Sequence, residues 1–275
     1  MKSAKEYIFD RDDNTLHMDT SMYFEKMQKN QKRDRVEVKP EQFRDIEHLT
    51  WADDDVEYRW INWDAQESYV NFRKDLEFVK DTRIALINQL YWPAYDKIIK
   101  AIKSASSWYI CTSRWHNSEA LKMWKRMIID SEKGIHNDFL QSVNIKSWSS
   151  MNIIEAIEFY LNTSKDYAVN WKEFADKHNG GVIPWSAPWK IIAVKDMLRF
   201  IKNKYHDDVL ISVWFSDDNK RLVDAVAWYL TNEAKHDKDF WNMHFVTYLT
   251  EDSNNIIKNC ITRKQDIIDT LIKKL

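Results

Sequence analysis

Short runs of β-forming residues recur along the chain at residues 7–9 (YIF), 108–111 (WYIC), 209–215 (VLISVWF) and 245–249 (FVTYL), and stretches with helical periodicity separate them. That alternation is the strongest constraint on the fold. Strands joined through helices of ten or more residues run parallel, because each helix carries the chain back over the sheet. Right-handed crossovers cover both faces with helices and bring the carboxyl ends of the strands to one edge. The sequence therefore predicts an α/β fold, a Rossmann-like parallel sheet with helices on both faces. Residues 143–148 (VNIKSW) offer a fifth strand.

The helices are legible from their entries and apolar spacing. Residues 93–104 begin with Pro and place Tyr95, Ile98, Ile99 and Ile102 on one side. Asn117-Ser118-Glu119 opens a helix carrying Ala120, Leu121, Trp124 and Met127, and residues 188–202 repeat the pattern with Ile191, Val194, Met197, Leu198 and Ile201. Residues 18–92 are too long for an ordinary connection and must hold structure of their own. Within them residues 36–38, a helix start at Pro40 and the acidic turn Asp53-Asp54-Asp55 suggest a small subdomain. Residues 130–184 look helical at 151–161 and 171–178. One domain over residues 1–275 follows, with its core at about 5–20, 90–150 and 185–250. It carries a largely helical insertion or cap at about 21–89 and a second helical insertion at about 130–184.

Composition narrows the setting. A formal net charge of -2 argues against a broadly basic nucleic-acid surface, and the local basic stretches 26–39 and 97–103 read as solvated helix faces. Cys111 and Cys260 lack metal-ligand spacing and read as reduced thiols, which suits a cytoplasmic protein. No apolar run approaches the roughly 18 to 20 residues of a membrane helix, and Met1-Lys2-Ser3-Ala4-Lys5 does not lead into a signal sequence. With only 3 Gly and 4 Pro, long elements joined by polar turns are expected. The 14 Trp read first as packing residues and second as stacking platforms. A Gly-rich phosphate loop, a zinc spacing and a nucleophile elbow are all missing from the sequence, which leaves nucleotide-kinase, zinc-hydrolase and serine-hydrolase readings without support.

The chemistry concentrates where the first apolar run stops, at Phe9-Asp10-Arg11-Asp12-Asp13. Carboxylates packed at a strand end repel one another by roughly a kcal/mol or more per close pair unless a cation or a shared proton compensates. Mg²⁺, which prefers hard oxygen ligands, is the expected partner. Three further features fall at predicted strand ends or helix starts: Thr112 with Arg114, a lysine near Lys190, and Asp217 with Asp218.

In order, these segments read FDRDDN, WYICTSR, PWKIIAVKDML and VWFSDD. They resemble the haloacid dehalogenase superfamily, and more narrowly its bacteriophage-encoded phosphatases, including the phosphatase half of phage polynucleotide kinases. The resemblance covers about residues 5–148, with an interruption, and 185–249. It implies a haloacid dehalogenase-like core and a Mg²⁺-dependent phosphomonoesterase working through an aspartyl-phosphate. Asp10 would be the nucleophile and Asp12 the general acid. Thr112, Ser113 and a lysine, Lys190 or Lys195, would hold the phosphate, with Arg114 a substrate contact. Asp10, Asp12, Asp217 and Asp218 would hold Mg²⁺. The substrate would be a small phosphate ester, a nucleotide or a nucleic-acid end, and a phage-encoded chain would work in the host cytoplasm. Asp13-Asn14 departs from the family's small residue and Thr, which keeps open the alternative of a degenerate fold that serves in binding or structure. His116 reads as a polar loop residue.

Overall fold

A computed structural model describes residues 2–10, 15–16, 21–29, 32–46, 49–50, 56–61, 75–113, 116–169, 172–179, 187–250 and 256–261. In chain order, β1 (Lys2–Phe9) is followed by β2 (Met22–Met27), β3 (Arg33–Val38), α1 (Pro40–Ile46), β4 (Tyr58–Trp60) and α2 (Asp75–Ile87). Next come α3 (Tyr95–Lys103), β5 (Trp108–Thr112), α4 (Ser118–Ser131), α5 (His136–Ser147), α6 (Ile153–Leu161) and β6 (Tyr167–Ala168). The chain continues through α7 (Lys172–Asn179), α8 (Ala187–Lys204), β7 (Val209–Asp217), α9 (Lys220–Asn232), β8 (Met243–Thr250) and β9 (Ile256–Cys260).

Six of these strands form one sheet in the order β6-β5-β1-β7-β8-β9, the first five parallel and β9 antiparallel to β8. The expected Rossmann-like α/β architecture is present. From β1 the chain builds outward to β5 and β6, then returns to lay β7 and β8 on the other side of β1. The order therefore reverses between β1 and β7, the kind of position at which open α/β sheets place ligand sites at their carboxyl ends.

Period-two alternation explains how each strand serves both faces. Tyr7 and Phe9 of β1, with Trp108 and Ile110 of β5, enter the core layer that includes Ile98, Leu121, Trp124, Phe139 and Tyr160. Ile8, Tyr109 and Cys111 point the other way, among Val194, Met197, Leu198, Val226 and Tyr229 of α8 and α9. The central strand β7 is almost wholly buried, as a parallel strand covered by helices on both sides must be.

Two buried ion networks tie the sheet to its helices. Lys125 of α4 donates to the Trp108 carbonyl at 2.6 Å and to both Asp166 oxygens at 3.1 Å, and Asp166 Oδ1 accepts the Ile110 N–H at 2.8 Å. That carboxylate satisfies the β5 edge just before the two-residue strand β6 begins. Glu6, fully buried on β1, is met by Lys204 at 3.2 Å and by the Tyr205 hydroxyl.

Several expectations are revised. Residues 143–148 form no strand: α5 runs through Ser147, with Phe139 and Val143 buried four residues apart while Ile145 and Trp148 face solvent. Over its described part the first insertion, expected to be largely helical, combines two helices with a small sheet. There β3-β2-β4 make an antiparallel sheet whose alternating Met22, Phe24, Val36 and Val38 pack with Phe43 of α1 and with Trp60, and a second helix, α2, follows. The basic stretch 26–39 is accordingly a hairpin rather than a helix face, with Lys26 paired to Glu57 at 3.5 Å and Lys39 to Glu37 at 3.3 Å. His116 is buried, its ring 4.1 Å from that of Phe78. Among the described residues no helix is long and apolar enough to cross a membrane.

Candidate functional site

The sheet's order reversal sets Asp10 and Asp217 side by side. Asp10 directly follows β1, and its N–H donates to the Ser216 carbonyl of β7 at 2.9 Å, so the parallel pairing continues one residue past the strand. Asp217 ends β7. Its Oδ1 accepts the Asn219 N–H at 2.9 Å, and the Asn219 side chain in turn caps α9 through the N–H groups of Arg221 and Leu222. The chain's turn from strand to helix thereby orients the Asp217 carboxylate. Asp10 and Asp217 are 6% and 0% exposed.

Lys190 enters from the first turn of α8. Its Nζ donates to Asp10 Oδ1 at 2.8 Å and to Asp217 Oδ2 at 2.5 Å, joining residues 180 and 27 positions away in the chain. Burial alone would lower the lysine's pKa, but the neighbouring Asp10 and Asp217 carboxylates more than offset it and hold the group above the ordinary lysine range. The ammonium therefore keeps its proton although it is almost inaccessible. Lys195, the other candidate, lies half-buried further along α8, outside this cluster.

Asp218 adds a third carboxylate. Asp10, Asp217 and Asp218 each offer an oxygen, and these atoms lie within 4.8 Å of one another. Lys190 brings one positive charge to three negative ones. Hard oxygen donors grouped this closely fit a small divalent cation such as Mg²⁺ better than a thiophilic metal. Burial pushes the neighbouring Cys111 thiol up to about 12, which keeps it protonated.

Thr112 closes β5, one strand over from Asp10, and is almost completely buried; its carbonyl accepts the Val169 N–H at 2.8 Å. Ser113 follows it at the surface. Asp12 and Arg114 lie outside the described residues, as do Asp13 and Asn14. Among the described candidates, Asp10, Lys190, Asp217 and Asp218 are brought together, and Thr112 ends the adjacent strand.

Comparison with known protein families, with curated proteins and with solved structures gives no match. The function must be read from the side chains.

Sequence reading overlooked two contributors. Ser216 and Asn219 position the two central aspartates through main-chain hydrogen bonds; Asn219 carries a helix-capping signal, but nothing in the sequence ties either residue to an aspartate beforehand. A cleft beside β6, lined by Lys122, Lys165 and Lys177, also went unseen because its lysines come from separate parts of the chain.

Proposed function

We propose that the chain is a Mg²⁺-dependent phosphomonoesterase of the haloacid dehalogenase type. The observation that carries this reading is the contact of Lys190 with both Asp10 and Asp217 at the carboxyl ends of β1 and β7, where the strand order reverses. A phosphoryl-transfer site needs a nucleophile and dense charge compensation more than elaborate covalent machinery. In this reading Asp10, at the end of β1, is the nucleophile, and Lys190 from α8 supplies part of the compensation.

In the proposed mechanism an Asp10 carboxylate oxygen attacks phosphorus, and the bond from phosphorus to the leaving oxygen breaks. Asp12 gives its proton to that oxygen. Water then attacks the aspartyl-phosphate, returning a proton to Asp12, and the bond between phosphorus and Asp10 breaks to release inorganic phosphate. Lys190 holds Asp10 in one orientation and offsets negative charge as the phosphoryl group moves. Thr112 and Ser113 donate to phosphate oxygens, and Arg114 contacts the substrate. Asp10, Asp217 and Asp218, together with Asp12, would hold Mg²⁺, which would draw charge from the phosphoryl oxygens. The substrate is a small phosphate ester, a nucleotide or a nucleic-acid end.

Release of p-nitrophenol from its phosphate ester tests the reading. The full chain should turn it over with Mg²⁺ and stop on chelation, and Asp10→Asn should cost at least about 100-fold while circular dichroism stays unchanged. No metal-dependent turnover, or an unaltered rate in Asp10→Asn, would overturn the phosphatase reading.

A further inference from the structure

A cleft of about 370 Å³ opens beside β6, between the start of α4 and α7. Its volume falls within the roughly 300–1,000 Å³ of small-molecule sites. Three ammonium groups line it: Lys122 from α4, Lys165 just ahead of β6 and Lys177 from α7, with Ser118, Tyr167 and Phe174 between them. Lys165 and Lys177 both donate to one oxygen of Asp196, at 3.2 and 2.8 Å, and the Tyr167 hydroxyl bonds the same atom. One carboxylate thus holds two cations side by side. The acid on the cleft wall, Asp166, is committed to the buried Lys125. Lys122 pairs with Glu119 at 3.5 Å at the rim. Across Lys165, Lys177 and Asp196 positive charge prevails, in a concave site with an apolar wall.

The register gives the distance from the catalytic cluster. Phe9 pairs with Ile110 and Cys111 with Tyr167, so Asp10 and Tyr167 stand level on strands two positions apart. At about 4.8 Å per strand, that is a span of roughly 10 Å along the carboxyl edge. A ligand of nucleotide size reaches from one to the other.

We propose that this cleft is a second anion subsite for the same substrate, taking a phosphate at its far end while another phosphoryl group lies at Asp10. The substrate class is then a doubly phosphorylated small molecule. This rests on the phosphatase reading, and the test separates the two. The probes are adenosine 3′,5′-bisphosphate and adenosine 5′-monophosphate, used with the full chain. Turnover should favour the bisphosphate, and the double change Lys165→Gln with Lys177→Gln should lower the bisphosphate-to-monophosphate ratio of kcat/KM about tenfold, the order expected for losing charge-assisted hydrogen bonds. Lys122→Gln, on the opposite wall, should lower it in the same direction and guards against misfolding of the double variant. Calorimetric titration of the Asp10→Asn chain with the bisphosphate reads binding without turnover. Binding weakened by the lysine changes, with no turnover of any phosphate ester, sustains the cleft and sinks the phosphatase. Turnover whose substrate ratio ignores all three lysines sinks the cleft and leaves the phosphatase standing. If the bisphosphate neither binds nor turns over, the cleft falls, and turnover of p-nitrophenyl phosphate alone decides the phosphatase reading.

Discussion

Lys190 serves two carboxylates with one ammonium. Its ammonium joins Asp10 to Asp217, and its almost complete burial means that neither carboxylate has bulk water to replace it. Lys190→Met keeps most of the side chain's volume but leaves two carboxylates facing each other. Breaking a buried pair in this way typically costs about 3–5 kcal/mol. A urea midpoint reduced to that extent is expected, and the proposed cation site at Asp10, Asp217 and Asp218 adds that millimolar Mg²⁺ should restore part of it, because it would bind only the folded chain. A variant as stable as the parent, with or without Mg²⁺, would remove the electrostatic account of the cluster. The sign of the pH dependence is also set. The folded-state pKa of Lys190 lies above its unfolded value, so its contribution is complete below about pH 10.4 and is lost only as pH rises beyond it.

Among the elements, β6 is the least self-sufficient. A two-residue strand offers little ladder, and Asp166 extends its hold by accepting the Ile110 N–H while neutralising Lys125. Asp166→Ala should therefore cost about 3–5 kcal/mol, because it strands a buried ammonium and orphans a main-chain donor together. Denaturant unfolding should show a lower midpoint with an unchanged slope, whereas a loss below about 1 kcal/mol would mean that Lys125 finds other partners. This element also marks a limit of what could be read from sequence. β1, β5, β7 and β8 announce themselves as apolar runs because parallel strands are buried on both sides. Tyr167-Ala168 is too short to carry a pattern, and residues 143–148 imitate one although Phe139 and Val143 set a helical period. In the first insertion, Met22 and Phe24 do alternate, but over so few residues that helix and strand remain indistinguishable without the partner strand. The site was legible at Asp10 and Asp217, since acidic groups that end apolar runs stand out. The sequence favours Lys190 over Lys195 because it falls in the first turn of the helix and Lys195 deeper, but only the packing of α8 decides which of them reaches inward.

Across the whole molecule, buried tyrosines set the alkaline limit. Tyr95, Tyr109, Tyr160, Tyr167 and Tyr205 are held above the ordinary tyrosine range, in each case first by burial, and Tyr229 is pushed up to about 12. Above about pH 10 the unfolded chain loses these protons while the folded chain keeps them, so the folded state binds more protons and stability falls as pH rises. Lys125, Lys146 and Lys204, shifted down by burial, act in the opposite sense over the approach to pH 10.4. The tyrosines outnumber them. The urea midpoint should hold from neutrality to about pH 10 and drop between about 10 and 12; a level profile to pH 12 would contradict it. The pairing of β1 has a different consequence, one of timing. Its long partner is β7, with eight residues in register from Lys2↔Val209 to Phe9↔Ser216, whereas β5 covers only Tyr7 to Phe9. Roughly 200 residues separate β1 from β7, which at about 5–20 residues per second is about 10–40 s of synthesis. Throughout that interval one flank of β1 is an open edge, so a nascent chain stalled before residue 209 presents an unpaired strand to its neighbours on the polysome.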